Sequence, residues 1–267
     1  MNAAFTIDLE PDWGVPGGPC RVLDSVLPGF LEWLAEQDIR ATFFTVAEMA
    51  QRFPERIRQV AESHEVASHG LSHNRLDRME RATARREVCE SKRIIEDVAG
   101  RTTRGFRAPF LARHEGLADD LQEAGYQYDA SGGACAPSPA NWRLPNGTGP
   151  FAYPNGLAWL PISTMRDRLN PFCLTALRVG YPVSLLDLPA RPRMFFLHLH
   201  EISDVSVPDV AGGWLRRALL KQRQGGAAWN ALGWVVRRHR GRGGRWVACE
   251  EFITMAKANC AEVTRIT

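Results

Sequence analysis

The chain has 267 residues, 45% of them apolar, six scattered cysteines and a formal net charge of +3. That size and composition suit one domain with a sizeable core, residues 1–267, and argue against a disordered or fibrous chain. Without a C-x-x-C pair the cysteines form neither a disulfide framework nor a Cys-type zinc site; no apolar run approaches the ~20 residues of a membrane span, and the N-terminus lacks the basic-then-apolar pattern of a secretory signal.

Ala3 to Leu9 is an apolar run with an acid inside it and reads as a buried first strand. Val22, Val26 and Phe30 fall at helical spacing, with Pro28 marking a kink or a helix start. Ala41 to Val46 is a second strand, Pro54 to Glu62 a helix, and Glu65 to Ser68 a third strand. Asp77 to Val98 is a long charged helix stopped by Gly100. Gly105 to Ala108 and Tyr126 to Ala130 are strands separated by a helix over Glu115 to Ala124. Gly132 to Asn155 is rich in Gly, Pro and Asn and reads as a long loop. Leu157 to Leu160 and Met194 to His200 are further strands, and the tail from Trp214 carries two helices, a short strand near Trp246 and a last helix.

Strands alternating with helices predict an α/β fold with a mainly parallel sheet, open or closed into a barrel. In such folds sites gather at the carboxyl ends of strands. Asp8, Glu10, His69, Arg107, Asp129 and His198 all fall at or just beyond predicted strand ends.

His69 and His73 stand four residues apart; if the chain turns helical there, both rings leave one face and suit a single metal ion. Ser68 or Ser72 is positioned to cap such a turn. Asp8 and Glu10, two apart on a strand, face the same side. Such a pair divides labour, one carboxylate on the metal and the other taking a proton from water. Arg107 lies in a buried strand and needs a carboxylate, for which Asp129 is a candidate. Pro109 stiffens the exit, which turns the Phe110 amide toward the pocket. His198 and His200 share a face at the mouth of a buried strand, and either suits a general acid.

Together these stretches resemble the polysaccharide deacetylases of the NodB-homology type, carbohydrate esterase family 4, in the branch with an Asp-x-Glu first motif. The matching segments are Thr6-Ile7-Asp8-Leu9-Glu10, Ser68-His69-Gly70-x-x-His73, Arg107-Ala108-Pro109-Phe110, Tyr128-Asp129-x-Ser131 and Phe196-Leu197-His198. The resemblance implies a distorted (β/α) barrel of seven or eight strands and a divalent metal, usually zinc. It implies removal of an N-acyl group, usually acetyl, from an amino-sugar-containing saccharide. Carried over residue by residue, Glu10, His69 and His73 resemble the metal ligands and Asp8 the general base. Arg107 resembles the residue that orients the base, the Phe110 amide an oxyanion donor, and His198 the general acid held by Asp129. The Asp8 and Glu10 roles stay exchangeable, as do those of His198 and His200. A deformylase or cyclic-amide hydrolase of the same fold, or a metal-free carbohydrate-binding relative, are the alternatives.

Residues 211–267 carry no matching motif. Between Ala211 and Cys249 lie nine Lys or Arg and no acid, so the rest of the chain, +3 less those nine, sums to about −6. The arginines mix with Trp in no nucleic-acid-binding motif, so nucleic acid is not an expected partner. The expected location is the cytoplasm, with the tail as a peripheral contact to anionic membrane at its inner face and a lipid-linked saccharide as substrate.

Overall fold

The computed structural model describes residues 1–132, 151–165, 170–182, 184, 188–189, 193–209 and 213–256. Strand β1 (Asn2–Leu9) is its centre. β1 runs parallel to β2 (Thr42–Thr45) on one side and to β8 (Met194–His198) on the other, and its first residues also pair with β9 (Arg245–Val247). From β2 the sheet continues through β3 (Glu65–Ser68), β4 (Gly105–Phe106), β5 (Tyr128–Asp129) and β7 (Ala158–Trp159) to an edge strand, β6 (Phe151–Ala152), which is antiparallel to its neighbour where the other pairings are parallel. The nine strands of the described residues curl into the distorted (β/α)-barrel class that the alternation of elements implied.

β1 reads as a continuous apolar run because both of its faces are buried. Ala3, Phe5, Ile7 and Leu9 face a helical layer that includes α2 (Leu27–Glu36), α3 (Ala47–Arg52) and α4 (Pro54–Ser63). The alternate residues face inside the curl: Ala4 joins Phe44, Tyr128 and Phe196 there, with Thr6 and Asp8 on the same side. A carboxylate one step from the strand end is thereby aimed into the barrel mouth.

The predicted strands all form, shortened at β4, β5 and β7 to two residues each. The long charged helix is α5 (Arg81–Ala99), and Gly100 closes it in the left-handed conformation that glycine adopts without strain. Pro28 begins α2, after the short α1 (Val22–Ser25). Periodicity passed over α3 and α7 (Leu174–Val179), single short turns that follow directly on extended backbone. Between β4 and β5 runs α6 (Leu117–Glu123), and most of the loop expected at 132–155 lies outside the described residues. In the tail, α9 (Gly226–Arg240) buries Leu232, Val235 and Val236 in the main core, with Trp229 packed on Phe30 and Trp33. The preceding α8 (Trp214–Lys221) buries no residue.

Candidate metal centre

The register of β1 against β8 sets Asp8 directly opposite His198, and the register against β2 sets it opposite Phe44. Both inner neighbours matter, because the guanidinium of Arg107 lies between the Phe44 ring, 4.0 Å away, and the Phe196 ring, 5.4 Å away. Fully buried, Arg107 donates through one nitrogen to Asp8 Oδ1 and through another to Thr6 Oγ1 at 3.1 Å. Its carboxylate partner is therefore Asp8, not Asp129. This clamp occupies Oδ1 and leaves Oδ2 facing the other site residues, 4.0 Å from His69 Nε2 and 3.8 Å from His198 Nε2.

Past the strand end, Glu10 meets the two histidines. Its Oε2 lies 2.7 Å from His73 Nε2 and 3.6 Å from His69 Nε2. Burial opposes the Glu10 charge, but His73, His198 and His69 outweigh it and hold the carboxyl well below the usual range. His73 moves the other way: burial lowers it and Glu10 raises it further, so its net shift is upward.

The two histidines are not on a helix. Gly70 and His73 both have positive φ (77° and 58°), and residues 69–75 form an irregular loop. Glu87 on α5 holds that loop, accepting from the amides of Leu71 (2.8 Å) and Ser72 (3.0 Å). Ser72, positioned by the sequence to cap a helix, donates its hydroxyl to Glu87 instead. Convergence comes from the ring anchors. His69 Nδ1 donates to the Arg107 carbonyl at 2.8 Å, and His73 Nδ1 to the Gly14 carbonyl at 3.0 Å. Gly14 has φ 67°, and a Cβ there would sit 3.1 Å from both Glu10 Oε1 and His73 Cε1, so glycine is what the close approach needs.

A histidine that donates through Nδ1 presents a bare lone pair at Nε2. The Nε2 atoms of both histidines and the buried carboxylate of Glu10 converge here, all within 4.8 Å of one another. Two imidazoles with one carboxylate are donors that suit a divalent ion such as zinc.

His198 closes the site from β8. Its Nε2 is 3.8 Å from both Asp8 Oδ2 and Glu10 Oε1. Its Nδ1 faces Glu201 Oε2 at 3.2 Å, and its backbone N–H donates to the same oxygen at 2.9 Å. Glu201 in turn takes the Thr175 hydroxyl at 2.7 Å and the fully buried Arg178 guanidinium at 3.1 Å. Burial works against a charged His198, but Glu10, Glu201 and Asp8 raise it to about 9. His200 stacks on His198 with centroids 5.0 Å apart and accepts the Trp13 amide at Nδ1. Burial, then the charge on His198, pushes His200 down to about 3.

The acid that holds His198 is therefore Glu201, and Asp129 lies outside the constellation. Asp129 pairs in register with Phe106 and Trp159, accepts the Tyr153 hydroxyl at 2.5 Å and caps the Ser131 amide at 2.7 Å. Position at a strand end misled, because β5 lies three strands away from β2 in the sheet order. Sequence reasoning also passed over Glu201, Arg178 and Glu87; the one available signal was Glu201 three residues after His198, which becomes contact only because the chain turns at Leu199–Ile202. Phe110 follows Pro109 with φ 57°, half-exposed, its ring 4.7 Å from the His73 ring at the rim of the site. The whole opens into a cleft of about 590 Å³ that Trp13, Phe110, Arg216 and Leu220 help to line.

Residues 4–128 match the family model described as polysaccharide deacetylase. The chain is similar to a chitooligosaccharide deacetylase from Sinorhizobium fredii, 38% identical over 85 residues that make up 31% of this chain and 40% of that protein. It spans less than half the length of the curated relatives it matches. Among solved structures it is similar to the peptidoglycan deacetylase PdaC from Bacillus subtilis, with TM-score 0.56, 15% identity, and coverage of 99% of this chain and 95% of that one. It is similar to the Puue allantoinase, with TM-score 0.60, 16% identity, and coverage of 95% and 89%. At those identities the structures speak for the fold alone.

Proposed function

We propose, from the match of residues 4–128 to the polysaccharide deacetylase family model and the similarity to a chitooligosaccharide deacetylase, that this chain is a member of that family and a metal-dependent hydrolase that removes an N-acyl group, acetyl first among candidates, from an amino sugar. The observation that carries this reading is the convergence of Glu10, His69 and His73 beside a separately clamped Asp8 and a His198 held by Glu201.

Glu10, His69 and His73 would hold the ion, zinc by their donor chemistry. When bound, a divalent ion of this kind supplies Lewis acidity to the attacking water and to the amide carbonyl. The remaining steps belong to the chain. Asp8 Oδ2 takes the proton of the water as it attacks, while Arg107 fixes Oδ1 and so the direction of the free lone pairs. The Phe110 amide, at the rim, is the donor proposed for the developing oxyanion. His198 delivers its Nε2 proton to the leaving sugar nitrogen, so that the C–N bond breaks to give a free amine and a carboxylic acid. Glu201 keeps the other ring nitrogen protonated and the ring fixed.

The pairing of Asp8 with Arg107, away from the two lone pairs, supports Glu10 rather than Asp8 as ligand. The low pKa of His200 and its role as acceptor from Trp13 support His198 as the acid. The test is metal analysis of the purified protein together with acetate release from N-acetylated chitooligosaccharides and from lipid-linked amino sugars. Stoichiometric divalent metal and acetate support the proposal; protein that holds no metal and gains nothing from added zinc overturns it in favour of a binding role. Formate or a ring-opened product would move the reaction to another amide.

A further inference from the structure

Among the described residues, six large apolar side chains are exposed; one of them, Phe110, lines the cleft, and three lie on α8, the helix whose Arg216 and Leu220 line it. Phe110 stands at one rim. At the other, α8 exposes Trp214 (74%), Leu215 (59%) and Leu219 (45%). Tyr181 lies under the guanidinium of Arg223, 3.7 Å from its ring centroid, just beyond the end of α8.

α8 is amphipathic with no core to serve. Arg216 and Leu220 face the cleft, and Arg217 pairs with Asp209. Trp214, Leu215, Ala218 and Leu219 form the remaining stripe at helical spacing, and it points away from the protein. The helix is nonetheless fastened in place. Buried Arg178 donates to the Leu220 carbonyl (3.0 Å) and the Gln222 carbonyl (2.7 Å) while it holds Glu201. The apolar stripe is thus anchored, through the Arg178 side chain, to Glu201, the residue that positions His198.

We infer that α8, with Phe110 and Tyr181, is a docking surface for an anionic lipid bilayer, which sets the cleft mouth against the membrane. The inference rests on the proposed reaction only for its consequence: the substrate would be an amino sugar on a lipid carrier in that same bilayer. Charge favours this occupant. Arg216, Lys221 and Arg223 accompany the stripe, and the chain holds no acid between residues 211 and 249. Trp beside Leu with basic flanks is the composition that partitions to an anionic interface. A second copy docking on the same face would bring these cations against their own equivalents. A free glycan would gain nothing from Leu215 and Leu219, which offer no hydrogen bond. α9, equally rich in Trp and Arg, contributes little, because its apolar face is already buried in the core.

The experiment is co-sedimentation of the full chain with vesicles of phosphatidylcholine alone and of phosphatidylcholine with phosphatidylglycerol, at low and high salt. Binding to the anionic vesicles at low salt, weakened by salt, is expected. Trp214→Ala/Leu215→Ala/Leu219→Ala should lower binding about tenfold or more through lost apolar burial. Lys221→Gln/Arg223→Gln should lower it about fivefold per charge. No binding at low salt, equal binding to neutral vesicles, or unchanged binding of both variants overturns the inference. So does a dimeric wild-type chain that becomes monomeric in the triple variant, which would assign the stripe to a second copy. Metal content and turnover of a soluble oligosaccharide, measured on the same preparations, fail independently: their loss would overturn the proposed reaction and leave the docking result standing.

Discussion

Glu201→Gln changes one buried charge beside the proposed acid and almost no volume. In the native site Glu201 Oε2 faces His198 Nδ1 at 3.2 Å, and His198 stands at about 9 against burial that would lower it. A hydrogen bond to a charged group contributes ~1.5–3 kcal/mol. At 1.36 kcal/mol per pKa unit, its loss lowers His198 by ~1–2 units. The acid must carry its proton to act, so activity falls as pH rises through that value. The basic limb of kcat/KM for acetate release should therefore lie ~1–2 pH units lower in the variant than in the wild type. A divalent cation beside Glu10 lowers His198 in both proteins, so the difference between them is the quantity to read. The substitution also leaves buried Arg178 without its carboxylate, which costs stability on the order of 3 kcal/mol, although two carbonyls still accept from it. A folded variant whose basic limb does not move would refute the assignment of His198 as acid and Glu201 as its holder. If His200→Gln moved the limb instead, the acid would be His200.

Three further outcomes follow from the same geometry. His69→Ala and His73→Ala should each abolish stoichiometric metal binding while the far-ultraviolet circular dichroism stays native; unchanged metal content in both would refute the ligand set. Asp8→Asn should keep the metal and lose ~10²–10⁴-fold in kcat, whereas Glu10→Gln should lose the metal; the reverse pattern exchanges the two roles. Glu201 stands at about 2 because, although burial raises it, His198 and Arg178 lower it more. A carboxyl depressed in the folded state stabilises above its unfolded pKa and loses that contribution as pH falls through the folded value. About 3 kcal/mol should disappear between pH ~4.5 and ~2. Urea midpoints of wild type and Glu201→Gln should converge across that window, and parallel curves would contradict the linkage.

What the sequence made legible follows from how local each signal is. β1, β2 and β8 announced themselves because strands buried on both faces are mostly apolar along their length. The strand-end rule then found most of the site, since parallel strands deliver their last residues to one rim. It failed at Asp129 because it names a rim and not a position around it; only pairing order separates a residue beside β1 from one across the barrel. The spacing of His69 and His73 suggested one helical face, and the two rings converge for another reason, two ring nitrogens tied to the carbonyls of Arg107 and Gly14. Neither carbonyl is near in sequence to the ring it holds. In the tail, periodicity described α8 and α9 alike, because an amphipathic pattern specifies a face and not its partner.

The division of labour proposed for Asp8 and Glu10 rests on the different surroundings of two acids in one motif. They are two residues apart and both buried. Asp8 is still within the strand, where the inward pleat brings it against Arg107, a cation held between two rings and donating also to Thr6. One oxygen is thereby committed, which leaves the other facing His69 and His198 in a fixed direction, as the proposed base requires. Glu10 has passed the strand end, so no pleat governs it; Pro11 and the left-handed turn through Trp13 and Gly14 carry the chain around it. That turn places the Gly14 carbonyl behind His73, which orients the ring's Nε2 onto Glu10 itself. The extra methylene of Glu over Asp lets the carboxylate of Glu10 reach both histidines from outside the strand. An aspartate side chain at that position would retract the carboxylate by about 1.5 Å from that reach. Glu10→Asp should therefore weaken metal affinity while leaving the Asp8–Arg107 clamp intact.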